Sequence, residues 1–181
     1  MHTKHGRELC HAPADFPESD DTEAVVAELV ATKLVELGYR DVAVDEVSNV
    51  VGYFGPGSPR LMFNGHLDHV PPAGMVDPYG AQIVQGHLRG RGSVDMKANV
   101  AAGAFAAAFV DAPLRGAYMF TADVREEVDG PEGIPRLLAH GLRAEYGISA
   151  STSGHPLVAA RRRLRLFVPW VSGPSGGGNG Q

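Results

Sequence analysis

Leu61-Met62-Phe63-Asn64-Gly65-His66-Leu67-Asp68-His69-Val70-Pro71-Pro72 is an apolar run that rises into Gly65 and then delivers an imidazole and, two residues later, a carboxylate. On an extended segment, residues two apart point the same way, so His66 and Asp68 share one face at the end of a strand. A neutral imidazole is a good metal ligand, and a neighbouring carboxylate can hold its other nitrogen and select the tautomer. A lone His-x-Asp is a common surface pair, so this motif needs support from elsewhere in the chain.

Two further clusters supply it. In Gly90-Arg91-Gly92-Ser93-Val94-Asp95-Met96-Lys97, glycines set an aspartate directly ahead of an alanine-rich helix. In Asp123-Val124-Arg125-Glu126-Glu127-Val128-Asp129-Gly130, adjacent glutamates follow the strand-like Tyr118–Ala122. Alone, Glu126-Glu127 reads as a solvated surface pair. Ligands of open α/β sheets sit beyond the carboxyl ends of the strands. Three segments bringing one imidazole and several carboxylates to that edge form a metal-site arrangement. A carboxylate such as Asp95 can bridge two zinc ions about 3.5–4 Å apart, and such a pair polarises a carbonyl and acidifies water. A carboxylate outside the metal shell must then carry the water's proton to the leaving amine. Two adjacent glutamates can divide those tasks, one as base and one as ligand.

The surrounding pattern predicts an α/β fold, a mixed sheet flanked by helices. A helix starts at the acidic Asp20-Asp21-Thr22-Glu23, carries Val25, Val26, Leu29, Val30, Leu34 and Leu37 at three- and four-residue steps, and stops at Gly38. Strands are expected at Val42–Val47, Val50–Phe54, Arg60–Asn64, Tyr118–Ala122 and Tyr146–Ser149, and residues 71–93 as a loop with a minor hairpin. A helix from Met96 to Val110 has almost no side-chain bulk, with Phe105 and Phe109 expected as its large core contacts. A further helix spans Pro131–His140, with proline near its first turn.

Gly65-His66-Leu67-Asp68-His69-Val70-Pro71, Gly90–Lys97 and Glu126-Glu127 together resemble the three signatures of the zinc-dependent amidohydrolase and exopeptidase family of acetylornithine deacetylase, succinyl-diaminopimelate desuccinylase, aminoacylase and glutamate carboxypeptidase. The order and spacing of the signatures match, and Ser48-Asn49-Val50-Val51 and Asp77-Pro78-Tyr79 resemble family landmarks. The resemblance covers roughly residues 8–154. It implies a zinc-peptidase-like fold in which His66 is a ligand to one Zn2+, Asp95 bridges two, and Glu127 is a ligand to the second; Co2+ or Mn2+ could replace zinc. Glu126 is then the general base and Asp68 the residue that orients His66. His69 is given no family role and is expected in an exposed loop. The implied reaction is hydrolysis of an amide bond in a small-molecule N-acyl amino acid or peptide.

The chain departs from the family pattern in two places. The family's further carboxylate ligand falls here on Ser151, or on Ala150 with a one-residue shift, and neither is a zinc ligand. Its final histidine ligand follows a lid domain and second half that this sequence does not reach, so each metal keeps two of three protein ligands. The expected organisation is a loose segment over 1–20, a partial catalytic domain over 21–155, and a lid-like strand start with a Gly-rich tail over 156–181. The expectation is a truncated hydrolase of weakened metal binding and little activity. The alternative is a catalytically inactive fragment or pseudoenzyme that serves as a binding or regulatory module, or has no activity of its own. Oligomeric state stays open because the lid is absent.

The totals limit the other classes. A chain of 181 residues, 44% hydrophobic and with net charge −5, is ordinary for a globular protein and argues against nucleic acid as a partner. Arg161-Arg162-Arg163 and Arg165 read as a solvated edge, and His2, His5, Cys10 and His11 as part of a loosely held terminus. The single Cys10 excludes an intrachain disulfide and fits a reducing compartment. With neither a membrane-length apolar stretch nor an apolar leader, the expected localisation is cytoplasmic and no membrane partner is implied.

Overall fold

The helix that leads into the sheet, α1 (Thr22–Glu36), ends as its sequence dictates. The N–H of Tyr39 donates to Leu34 O and that of Gly38 to Val35 O, both at 3.0 Å. Gly38 takes φ +87° to close this turn, a conformation that a side chain would strain. Val26, Ala27, Val30, Ala31 and Leu34 form the buried stripe, whereas Val25, expected on the same face, is exposed. Each fully buried Val or Leu contributes on the order of 1.5–3 kcal/mol, so this stripe anchors the helix.

The computed structural model describes residues 22–128 and 130–150. The segments 1–20 and 156–181, Cys10, Ser151 and the Arg161–Arg165 cluster lie outside the described residues.

Strands β1 (Arg40–Val44), β2 (Val50–Phe54), β3 (Pro59–His66), β6 (Ala117–Asp123) and β7 (Tyr146–Ser149) make one sheet in the order β1-β2-β6-β3-β7. It is mixed: β2 runs antiparallel to β1 and β6, while β3 runs parallel to β6 and β7. The expected first strand over Val42–Val47 begins and ends earlier. The Asp45 carboxylate accepts the backbone N–H groups of Val47 and Asn49, which turns the chain before Val47. A separate hairpin, β4 (Gln82–Val84) with β5 (His87–Arg89), lies within the long loop.

All seven residues of β6 are buried, and their side chains alternate between the faces of the sheet. Tyr118 and Phe120 join the core with α1 and α2 (Ala98–Ala108). The Asp123 carboxylate, two steps from Thr121 along the other register, receives the N–H of Ile134 at the start of α3 (Ile134–Ala139).

The alanine-rich α2 packs as its lack of bulk suggests, through different residues from those expected. Its buried face is Val100, Gly103, Ala104 and Ala107. A Cβ on Gly103 would lie 2.5–2.7 Å from the Phe63 ring, so only glycine permits this approach. Tyr39 and Tyr118 donate to the carbonyls of Ala104 and Gly103, pinning the helix backbone. Phe109 is not a core contact: it is 60% exposed and stacks on Phe105, with ring centroids 5.8 Å apart. Small residues already fill the interface, leaving both large rings on its margin.

Parallel β3 and β6 end together, with His66 in register with Asp123, and Val50 at the start of antiparallel β2 faces Ala122 beside them. The segments after His66 and Asp123, together with Asn49, therefore emerge at one edge of the sheet.

Candidate metal centre

His66 is the last residue of β3 and is 5% exposed. Its backbone N–H points at Met96 Sδ, 3.3 Å away, which ties the strand end to the segment Ser93–Lys97. Within that segment Asp95 and Met96 leave helical dihedrals and are joined by a cis peptide. Regular helix therefore begins at Ala98 rather than at Met96. Met96 is buried, whereas the Asp95 side chain is 52% exposed and brings Oδ1 to 3.2 Å from His66 Nε2.

The two imidazole nitrogens have different surroundings. Nδ1 lies 3.1 Å from the Asp68 carbonyl and 3.2 Å from Asp68 Oδ1, both acceptors, so Nδ1 carries a proton. Nε2 faces Asp95 and, at 3.8 Å, Glu126 Oε2. Burial favours the neutral ring, but hydrogen bonds to Asp68 and Asp95 and the charges of Asp68 and Glu126 outweigh it, lifting His66 to about 11. In the metal-free chain His66 is an imidazolium held by carboxylates.

Glu126 and Glu127 lie in a single short turn, Glu126–Val128, just beyond β6. Ligand atoms of His66, Glu126 and Glu127 all come within 4.8 Å of one another. Burial, then the like charge of Asp95, raises the Glu127 carboxyl above its ordinary range. Asp68 is buried beneath the group, and its Oδ2 accepts the Glu127 backbone N–H at 3.0 Å. The structure thus gathers His66, Glu126 and Glu127 into one cluster, sets Asp95 against His66, and links Asp68 to both His66 and Glu127.

This donor set suits a divalent metal. One imidazole has its far nitrogen committed to Asp68 and its near nitrogen turned toward carboxylates, the arrangement in which a cation would replace the Nε2 proton.

His69 differs from its expected exposed loop: it is 1% exposed. Its ring packs 5.9 Å from that of Tyr79 and under Gly92, where a Cβ would lie 3.2 Å from His69 Cδ2. The loop folds onto itself there, with the Arg91 N–H donating to Pro78 O at 2.7 Å. Lys97 is also buried, its stem passing beside Gly92.

Comparison with known proteins places these features in a family. Residues 62–163, more than half of the chain, match peptidase family M20/M25/M40. The chain belongs to that family. A succinyl-diaminopimelate desuccinylase of Acidiphilium cryptum is 38% identical over 140 residues, covering 74% of this chain and 36% of the relative. The chain thus spans little more than a third of that relative's length. Among solved structures, the M20 metallo-carboxypeptidase Sso-CP2 of Sulfolobus solfataricus aligns with a TM-score of 0.66 at 19% identity, over 82% of this chain and 36% of that one. The YXEP protein of Bacillus subtilis, a dinuclear metal-binding M20 peptidase, aligns with a TM-score of 0.60 at 16% identity, over 82% of this chain and 42% of that one. At such identities the structural likeness speaks for the shared fold.

Three buried residues beside this cluster have no functional assignment from the sequence. Glu23, taken as a first-turn acid, is 5% exposed and accepts the Arg125 N–H at 3.2 Å. Asn49, visible only as part of a landmark, is buried and accepts the Val124 N–H at 3.1 Å. Asp123, which opens the third cluster, is 2% exposed, and burial lifts its carboxyl to about 6. The signals available were a first-turn acid for Glu23 and polar residues beside apolar strand ends for Asn49 and Asp123, and neither identifies a partner.

Proposed function

We propose that this chain carries the metal-binding part of a hydrolase that cleaves the amide bond of N-acyl amino acids or small peptides. The observation behind this reading is the convergence of His66, Asp95, Glu126 and Glu127 at the shared edge of β3 and β6, above the buried Asp68. His66, Asp95 and Glu127 are assigned as the residues that would hold a metal, with Asp95 as the carboxylate that would be shared if two ions were bound. Zn2+ is the proposed metal, with Co2+ or Mn2+ as substitutes.

A bound divalent ion at this position supplies Lewis acidity, polarising the amide carbonyl and lowering the pKa of water. Glu126, with its side chain 59% exposed, is assigned to take a proton from the attacking water and deliver it to the leaving amine nitrogen. Asp68 keeps the Nδ1 proton on His66 and so leaves Nε2 for the metal. The substrate class follows from membership of a peptidase family and from relatives described as succinyl-diaminopimelate desuccinylases. The single cysteine makes a reducing, cytoplasmic setting the proposed location.

The test is hydrolysis of N-succinyl and N-acetyl amino acids by the Zn2+- or Co2+-loaded chain. Turnover by the wild type and its loss in Glu126→Gln, with metal uptake retained, is the expected result. Equal rates in the two proteins would remove Glu126 from the role of base. Metal uptake without turnover in the wild type would instead favour a segment that binds metal but does not catalyse.

A further inference from the structure

The segment that carries Glu126 and Glu127 is a short turn outside the sheet, yet its backbone is held at three places by side chains distant in sequence. Asn49 Oδ1 accepts from Val124 N at 3.1 Å, Glu23 Oε1 from Arg125 N at 3.2 Å, and Asp68 Oδ2 from Glu127 N at 3.0 Å. The three acceptors come from the turn before β2, the first turn of α1 and the loop after β3. Arg125 sits between them at φ +58°, a conformation that a non-glycine residue adopts readily only when its surroundings impose it.

Two of these acceptors are costly choices for stability alone. Glu23 is 5% exposed, and burial raises its carboxyl, with the like charge of Asp68 adding to the shift. Asn49 is fully buried, and its amide group donates to Asp45 Oδ2 at 2.9 Å and to Glu132 O at 2.7 Å, so its Oδ1 has one fixed direction. The Glu126 and Glu127 side chains extend from the clamped backbone toward His66, and a small rotation of that backbone would move both.

We propose that Glu23 and Asn49 are positioning residues for the Glu126-Glu127 pair, acting through the amides of Arg125 and Val124. This rests on the reading of that pair as base and metal ligand. Neither residue touches the metal or the reacting atoms. Their role is to set where the two carboxylates stand.

The experiment uses the full 181-residue chain as wild type, Glu23→Ala, Glu23→Gln, Asn49→Ala and Glu127→Ala. Two readouts are taken well below the unfolding temperature of every variant: amide hydrogen exchange by NMR, and Co2+ titration followed by visible absorption. Glu23→Ala should speed exchange at Arg125 and Glu127 while β3 and β6 keep their protection. It should also weaken Co2+ binding by about tenfold or more, the usual effect of losing a residue that orients a metal ligand. Glu23→Gln retains an oxygen acceptor and should restore both readouts, which separates positioning from loss of a charge. Asn49→Ala should repeat the Glu23→Ala result at Val124; if it does not fold, the Glu23 pair decides.

Unchanged exchange and Co2+ affinity in Glu23→Ala, alongside weakened binding in Glu127→Ala, would overturn the positioning role and leave the metal site standing. A lower unfolding temperature with unaltered Co2+ affinity and spectrum would overturn it as well, showing a merely structural contact. A wild type that takes up no Co2+ would overturn both readings together.

Discussion

Asp68 and Glu127 are bonded directly across the site: the Glu127 backbone N–H donates to Asp68 Oδ2 at 3.0 Å, while the same carboxylate stands 3.2 Å from His66 Nδ1. One buried side chain thus stands against the imidazole and holds the backbone of the neighbouring glutamate. Asp68→Ala should weaken Zn2+ or Co2+ binding about 10–100-fold, measured by isothermal titration. Asp68→Asn should fall between alanine and wild type, since one amide oxygen cannot serve both partners.

Metal uptake should release protons. His66, lifted to about 11, is protonated at neutral pH in the metal-free chain, and the metal must displace the Nε2 proton. Titration at pH 7 in buffers of different ionisation enthalpy should show about one proton released by His66 per site filled. Apparent affinity should rise roughly tenfold per pH unit in this range. Affinity independent of pH from about 6 to about 8 would show that Nε2 is not a ligand.

Asp123 makes a separate prediction about stability. Its carboxyl is lifted from an ordinary 3.8 to about 6, chiefly by burial. A raised folded value means that the folded state holds the proton more tightly. The contribution is therefore full below about pH 4 and is lost as pH rises through about 6. Asp123→Asn removes this dependence. Urea unfolding of the two proteins should show the variant gaining on the wild type between about pH 4 and 6, by on the order of 1–3 kcal/mol. A constant difference across that window would contradict the assignment.

Much of the fold was legible because its signals are local. Gly38 stops α1, β2 covers Val50–Phe54 and β7 covers Tyr146–Ser149 as the apolar pattern indicates. His66, Asp95 and the glutamate pair were recognisable as three clusters at element ends. What could not be read depends on contacts between distant residues. Asn49 and Val124 are 75 residues apart, and Glu23 and Arg125 are 102 apart. His69 looked exposed because the folding of its loop against Tyr79 and Gly92 leaves no periodic trace. Phe109 looked buried because bulk and hydrophobicity favour the core, whereas glycine and alanine had already filled that face of α2.

The Gly103–Phe63 approach can be tested by adding one methyl group. Gly103→Ala should gain up to about 1 kcal/mol in helix propensity but meet a ring already stacked on Phe120, with centroids 5.6 Å apart. Overpacking costs about 1–3 kcal/mol, so a net loss of up to about 2 kcal/mol is expected in urea unfolding. A gain in stability would show that α2 lies farther from β3.

If His66, Asp95 and Glu127 hold a divalent metal, removing one of the three carboxylate or imidazole donors must weaken its uptake. The measurement is isothermal titration of Zn2+ or Co2+ into the wild type and Asp95→Ala. Saturable binding by the wild type, with a clear loss of affinity and stoichiometry in Asp95→Ala, is the expected result. Indistinguishable titrations would contradict it.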